Sequence, residues 1–279
     1  ANKKLTLALA DLYAKIGQPD KADELFDEII KDNPKDANSW DLFASYLYKK
    51  GRVNEAIENY EKAYKLDPEN KGLAFRLGDA YFSAKRYKDA VELLTKAKED
   101  FPDDIEIMKK TAEAYYNMGE YNNAINEYQE IIKIAPKHVS SRIQIGNAYN
   151  EMKNYSKAKE YYHQALDIES DNLSVYYQLI NMELGRKNFI SVKKYIDDAF
   201  KIYANDPILY ALHGEYYYRL GIEKMSNKEW NPAIERYDKA IEIWKETIKK
   251  AYDPEWKNYA MKGINRAEKM IEEVKKVRW

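Results

Sequence analysis

The chain contains no cysteine and only three histidines in 279 residues. Without thiols there are no disulfides, no thiolate nucleophiles and no Cys-held structural zinc. His138, His163 and His213 form no pair with metal-ligand spacing, so no metal or other cofactor is expected. Eight of the ten glycines fall at inter-helix turns, close-packing places or similar breaks and need no phosphate-cradling role, and the chain has no HExxH, GxxxxGK[ST] or GxSxG motif. No apolar run approaches the roughly 18 residues that a membrane-crossing helix needs, and no leader-like segment opens the chain. Membrane insertion is therefore not expected. Neither sign of charge dominates, with 46 basic against 47 acidic residues spread along the chain. The electropositive face that a nucleic-acid backbone requires is thus missing, and no nucleic-acid partner is expected. Acidic pairs such as Asp103-Asp104 and Glu272-Glu273 read as caps or solvated faces. Together these points predict a soluble protein that is not an enzyme. The cytoplasm is slightly favoured, although the lack of cysteine leaves the compartment unknown, because such chains occur on both sides of membranes.

What the chain has in abundance is tyrosine, 26 residues of it, and it recurs with a fixed period. In units beginning at residues 3, 37, 71, 105, 139, 173 and 207, the eleventh place holds Tyr13, Leu47, Tyr81, Tyr115, Tyr149, Glu183 and Tyr217. The eighth place is small in nearly every unit: Ala10, Ala44, Gly78, Ala112, Gly146, Ile180 and Gly214. Alanine fills the twentieth place at Ala22, Ala56, Ala90, Ala124 and Ala158, and a bulky residue follows at Phe26, Tyr60, Leu94, Tyr128 and Tyr162. The period is 34 residues. Places 4, 7, 8 and 11 form one helical stripe and places 20, 24 and 27 another, so each unit is predicted to be two helices packed small against large.

Start and stop signals agree with this division. Asp36, Asn70, Asp104, His138, Asn172 and Asp206 precede first helices as N-cap candidates. Asp20, Asn54, Asn122 and Ser156 are assigned the matching slot before second helices, and Gly17, Gly51 and Gly119 the turns between. Pro34, Pro68, Pro102 and Pro136 follow second helices, where no intrahelical amide is lost. Unit seven carries seven additional residues before "EWNPAIERYDKA", which reads as a hairpin with both helices lengthened. A helix from Pro254 carries Trp256, Tyr259, Ala260, Gly263, Ile264, Ala267, Ile271 and Val274 on one side.

This pattern resembles the tetratricopeptide repeat (TPR) family over residues 3 to about 252. Unit two shows it through Trp40, Phe43, Ala44, Leu47, Ala56, Tyr60, Ala63 and Pro68, whereas unit six departs most, at Ile180, Glu183, Val192 and Ala204. The resemblance implies an all-α fold, a right-handed superhelical α-solenoid of about seven helix-turn-helix units. The expected division is residues 1–252 for the units and 253–279 for a C-terminal capping helix.

In this family the first-helix face left over from packing lines a concave groove in which partner segments dock. The resemblance thus implies a non-enzymatic protein–protein interaction scaffold that holds a peptide or protein segment. The candidate contacts are Phe75, Asp79, Phe82, Lys109, Glu113, Tyr116, Ile143, Asn147, Tyr177 and Asn181. Amides offer a donor and an acceptor to an extended backbone, and rings offer rigid contact area. The twelfth-place rings have a second reading, packing against the next unit. The carboxylate clamp of chaperone-tail binders is not assembled, since Lys109 is followed by Glu113, Gln144, Ser174 and Gln178. Two alternatives stay open. One is a structural module that assembles into a homo-oligomer through its apolar terminal helix. The other is the regulatory or targeting part of a larger enzyme, which a chain beginning at Ala1 rather than methionine keeps in view.

Overall fold

The computed structural model describes residues 3–277, apart from the side chains of Lys3, Lys4 and Leu7. Leu7, a fifth-place residue of the first unit, therefore lies outside the described side chains, as do Ala1 and Trp279. Fifteen α-helices make up the described residues, and no strand occurs among them. They alternate as α1 Lys3–Lys15, α2 Pro19–Asp32, α3 Ala37–Lys49, α4 Val53–Leu66, α5 Lys71–Ser83, α6 Tyr87–Asp100, α7 Ile105–Asn117 and α8 Tyr121–Ile134. There follow α9 Val139–Glu151, α10 Tyr155–Ile168, α11 Leu173–Gly185, α12 Phe189–Ile202, α13 Pro207–Ser226, α14 Trp230–Lys250 and α15 Pro254–Val277. This is an α-solenoid of helix-turn-helix repeats. It forms two compact units, Ala1–Ala148 and Tyr149–Trp279.

First helices start where a side chain replaces the missing intrahelical acceptor. Asn70 accepts from the Leu73 N–H at 3.2 Å, Asp104 from Ile107 at 3.0 Å and Asp206 from Leu209 at 2.8 Å. His138 does the same through Nδ1, which accepts from the Ser141 N–H at 3.2 Å. Second helices behave otherwise. Asp20, Asn54, Asn122 and Ser156 are not N-caps, because the helices start two residues earlier than those slots require, at Pro19, Val53, Tyr121 and Tyr155. The N-cap residues are Gln18, Arg52, Glu120 and Asn154. Asn154 caps with its side chain, whereas Gln18, Arg52 and Glu120 do not.

The turn geometry explains the shift. The Arg52 N–H donates to the Leu47 carbonyl at 3.0 Å, and Arg86 to Tyr81, Glu120 to Tyr115 and Asn188 to Glu183 do the same at 2.8 to 3.0 Å. This bond reaches back five residues and closes the first helix as a Schellman turn, which leaves only one residue between the left-handed position and the next helix. The left-handed residue is Gly17, Gly51 or Gly119 at φ 76 to 79°, but Lys85, Lys153, Lys187 and Lys228 at φ 57 to 60°. Lysine thus occupies a conformation that costs an L-residue about 1 kcal/mol.

Each hairpin is zipped by the small-against-large pattern. Ala22, Ala56, Ala90, Ala124, Ala158 and Ala233 are fully buried, as are their partners one turn on, from Phe26 and Tyr60 to Tyr162 and Tyr237. At Gly78 an added Cβ would lie 2.7 Å from the Leu94 side chain, so the helices are in backbone-to-side-chain contact there. Phe26 stacks on Phe43 with centroids 4.9 Å apart. Burying each such large side chain contributes about 2 kcal/mol.

The last hairpin is longer. α13 and α14 have 20 and 21 residues, against 13 and 14 in α11 and α12. α15 packs on this hairpin through Ala260, Gly263 and Ala267, with Val274 buried farther along. Trp244, fully buried, donates from Nε1 to the Ala211 carbonyl at 3.1 Å.

Candidate functional site

In the first compact unit, the predicted contact residues lie half-buried on the first helices α5, α7 and α9. A residue absent from the expectation draws several of them together. The Lys110 ammonium lies 2.9 Å from Asp79, 3.2 Å from Glu113 and 4.6 Å from the centroid of the Phe82 ring. Burial disfavours this charge, but the two carboxylates outweigh it and hold the Lys110 pKa above its usual value. The other Asp79 oxygen accepts from the Tyr48 hydroxyl at 2.8 Å. The Tyr48 pKa is raised, first by burial and also by its bond to Asp79.

The twelfth-place rings do not stand free: Tyr48 and Phe82 contact the next hairpin through Asp79 and Lys110, and rings also pair within a hairpin. Phe82 meets Tyr87 edge-on at 5.3 Å, and Tyr116 meets Tyr121 in the same way at 5.3 Å, each within its own hairpin. Phe75 packs against the buried cluster of Ala74, Leu94, Ala97 and Ile107. Lys109 reaches Glu106 at 3.7 Å, and the Asn147 amide donates to Gln144 Oε1 at 3.1 Å. Ile143 is half-buried beside them on α9. The polar groups of this face are therefore largely engaged with one another.

In the second unit the two predicted residues part company. The Tyr177 hydroxyl donates to Asp206 Oδ1 at 2.7 Å, and the same oxygen caps α13, so Tyr177 is committed to joining α11 to the next hairpin. Burial, then the Asp206 carboxylate, pushes its pKa up. Asn181 is exposed and lines a cavity of about 310 Å³ with Asn150, Gln178, Tyr155 and Met182. The side chains of Asn150, Gln178 and Asn181 make no hydrogen bond among the described residues. Asn150 and Gln178 are a twelfth-place and a sixth-place residue, which the 34-residue period does not single out.

A larger cavity, about 470 Å³, opens along α13 beyond the α11–α12 turn. Glu215 sits at its floor with only 10% of its side chain exposed. Arg219 Nε donates to Glu215 Oε1 at 2.8 Å, and Arg266 and the Tyr259 hydroxyl approach Oε2 at 3.2 and 3.3 Å. Burial, then Glu215, pushes the Tyr259 pKa up to about 12. From the sequence, Glu215 is the ninth-place residue of its unit, on the face left over from packing, and Tyr259 is an apolar-side residue of α15, whereas Arg219 and Arg266 fall on no place the repeat distinguishes. Two signals existed: the seven-residue insertion, and an arginine at position 266 beside the apolar stripe of α15.

The histidines are structurally occupied. His138 caps α9, and His163 Nε2 lies 3.2 Å from the Tyr195 hydroxyl. His213 is set among the rings of Phe200, Tyr216 and Tyr217. Among the described residues no group of three His, Asp or Glu side chains could hold a metal ion, and no helix is long and apolar enough to cross a membrane.

Repeated helical hairpins with buried alanine-to-ring seams and a polar first-helix face define a helical-repeat binding protein. Comparison with known proteins gives the family. The TPR domain of cytochrome c-type biogenesis protein H matches residues 28–142, the tetratricopeptide repeat itself matches residues 140–172, and the PPR repeat matches residues 7–34. The chain belongs to the tetratricopeptide repeat family, whose members are in general scaffolds for protein–protein interaction rather than enzymes. Among solved structures, MamA is similar at 25% identity and a TM-score of 0.52, covering 59% of this chain and 96% of MamA. PilF of Pseudomonas aeruginosa is similar at 16% identity and a TM-score of 0.51, covering 73% of this chain and 93% of PilF. YrrB, described as a TPR protein with an unusual peptide-binding site, is similar at 18% identity and a TM-score of 0.51, covering 63% of this chain and 91% of its own. No curated protein matches the sequence.

Proposed function

We propose that this scaffold holds an extended partner segment by its backbone in the cavity lined by Asn150, Gln178 and Asn181. The observation that carries this reading is the three amides, none of them hydrogen-bonded among the described residues, around one cavity of about 310 Å³. An amide side chain supplies donors and an acceptor together, as a peptide group requires. Three of them can pair an extended backbone without reading its sequence, and Tyr155 and Met182 add apolar contact beside them. In the first unit, Phe75, Phe82, Lys109, Glu113, Tyr116, Ile143 and Asn147, with Asp79, offer a half-buried contact surface, of which Lys110 already holds Asp79, Phe82 and Glu113. Ordering such side chains in advance lowers the entropy lost on binding. We read the protein as non-enzymatic, with α15 serving as a cap on the last hairpin.

The test is quantitative capture of partners by wild type and by Asn150→Ala with Asn181→Ala. Each lost hydrogen bond is worth about 1 kcal/mol, so a genuine partner should bind about tenfold or more weakly to the double variant. Unchanged capture of every partner would remove the amide cavity from the account.

A second reading is favoured by one observation. Leu5 and Leu12 on α1 and Ile16 just past its last residue are 67%, 54% and 57% exposed, and their spacings of seven and four place them on one side. Self-association through this side predicts a light-scattering mass above that of the 32.9 kDa monomer, reduced by Leu12→Lys. A monomer at high concentration would exclude it.

A further inference from the structure

The cavity along α13 differs in chemistry from the amide cavity, and it exists because of the insertion. The side chains of Glu215, Tyr218, Arg219, Ile222, Glu223 and Ser226 follow each other at helical spacing along one stripe. The last three belong to the additional turns of α13, past the point where the preceding hairpin ends at Lys187 and Phe189. The lengthened helix thus leaves an uncovered wall, and Arg266 of α15 closes the other side.

Charge in this cavity is only partly neutralised. The buried Glu215 carboxylate is shared by two guanidinium groups, those of Arg219 and Arg266. Arg219 also donates from one terminal nitrogen to the Leu184 carbonyl at 3.2 Å. Arg266 lies over the Tyr218 ring, 4.9 Å from its centroid. Each guanidinium has five donors, so these contacts fix both groups while leaving donors unused. Both side chains remain accessible, 41% and 47% exposed. Lys187, in the left-handed turn position, lines the same cavity and pairs with no carboxylate among the described residues. Glu223 is the one other anion in the lining, exposed at the rim, so three cations face two carboxylates.

We propose that this cavity is a second recognition site, which takes the carboxylate of an Asp or Glu side chain in an extended partner segment, with an apolar neighbour of that residue against Ile222 and Phe189. Charge complementarity selects the acid, because a carboxylate would complete a second ion pair for guanidinium groups already held in place. The shape argues for a segment passing through rather than ending there. The stripe from Glu215 to Ser226 spans about 16 Å of helix, the length of roughly five extended residues.

The site stands apart from the amide cavity and can be tested apart from it. The probes are two amidated, fluorescein-labelled pentapeptides, Gly-Gly-Asp-Leu-Gly and Gly-Gly-Asn-Leu-Gly, and the free acid Gly-Gly-Asn-Leu. Binding is followed on the full chain by anisotropy and by the arginine Nε–H signals in NMR. The Asp peptide is expected to bind at least fivefold more tightly than the Asn peptide and to shift the Arg219 and Arg266 signals. Arg266→Gln should abolish that preference; Glu215 keeps Arg219 and Tyr259 as partners, and circular dichroism checks the fold. Lys187→Gln, a turn substitution that touches no core, should weaken the Asp peptide two- to threefold. Asn150→Ala with Asn181→Ala should leave the preference intact. Equal binding of the Asp and Asn peptides, a preference that survives Arg266→Gln, a preference lost in the amide variant, or tightest binding by the free acid would each overturn the proposal.

Discussion

His213 shows how a single side chain records its surroundings. Its Nε2 is buried without a hydrogen-bond partner, and burial, reinforced by Lys193, lowers its pKa to about 4. Asp197 on α12 opposes the shift and Lys239 on α14 adds to it. An unfolded histidine titrates near 6.5, so between pH 6.5 and 4 the unfolded chain takes up a proton that the folded chain refuses. Stability is therefore full above that window and falls as the pH drops through it, by at most about 3 kcal/mol from this residue. Melting curves from pH 7.5 to 4.5 should show a shallower acid loss in His213→Phe than in wild type. His138 and His163, whose pKa values are also lowered by burial, keep part of the slope.

Glu183 makes the opposite case, a charge where the repeat elsewhere places an apolar or aromatic residue. It is 0% exposed, and both its oxygens accept from Arg186 at 3.0 Å. Removing one partner strands a buried charge, whereas removing both removes the problem. Arg186→Ala should cost about 3 kcal/mol in urea unfolding, and Glu183→Leu combined with Arg186→Ala should restore most of it.

At the scale of the element, the helix-to-helix turn repeats more faithfully than its sequence does. Lys85, Lys153, Lys187 and Lys228 take the left-handed conformation that Gly17, Gly51 and Gly119 take elsewhere. Lys85→Gly or Lys153→Gly should therefore raise the thermal midpoint, by a gain of up to about 1 kcal/mol, although glycine normally weakens a folded chain. Gly263→Ala should do the reverse: its Cβ would lie 2.7 Å from the Trp244 ring, and such overpacking costs about 1 to 3 kcal/mol.

These turns also show where the sequence was legible. The hairpins, their seams and the first-helix caps could be read because each depends on residues within one 34-residue period. The second-helix starts are not legible from cap residues, because the closing Schellman bond is made by backbone groups and leaves one residue, whatever its side chain, between the left-handed position and the next helix. The site was harder still. Whether a twelfth-place ring faces outward depends on the ring at place 17, as Phe82 on Tyr87 shows. That Lys110 gathers Asp79, Phe82 and Glu113 depends on a neighbouring hairpin that periodicity does not weigh.

For the whole molecule, the repeat divides labour between two sets of residues. Alanines and rings inside the hairpins hold the fold and recur, while the first-helix faces are free to differ from unit to unit. In the unit Ala1–Ala148 that face is knit together by ion pairs, and in Tyr149–Trp279 it presents amides that make no hydrogen bond among the described residues, with Arg219 of α13 beside Arg266 of α15. The scaffold reading therefore rests most on the second unit. Its most direct test is capture from an extract of the source organism by wild type, by Asn150→Ala with Asn181→Ala, and by a control variant, Lys96→Ala, on a second helix. The account predicts at least one partner held equally by wild type and control and reduced about tenfold by the amide variant. Equal capture of every partner by all three proteins would contradict it.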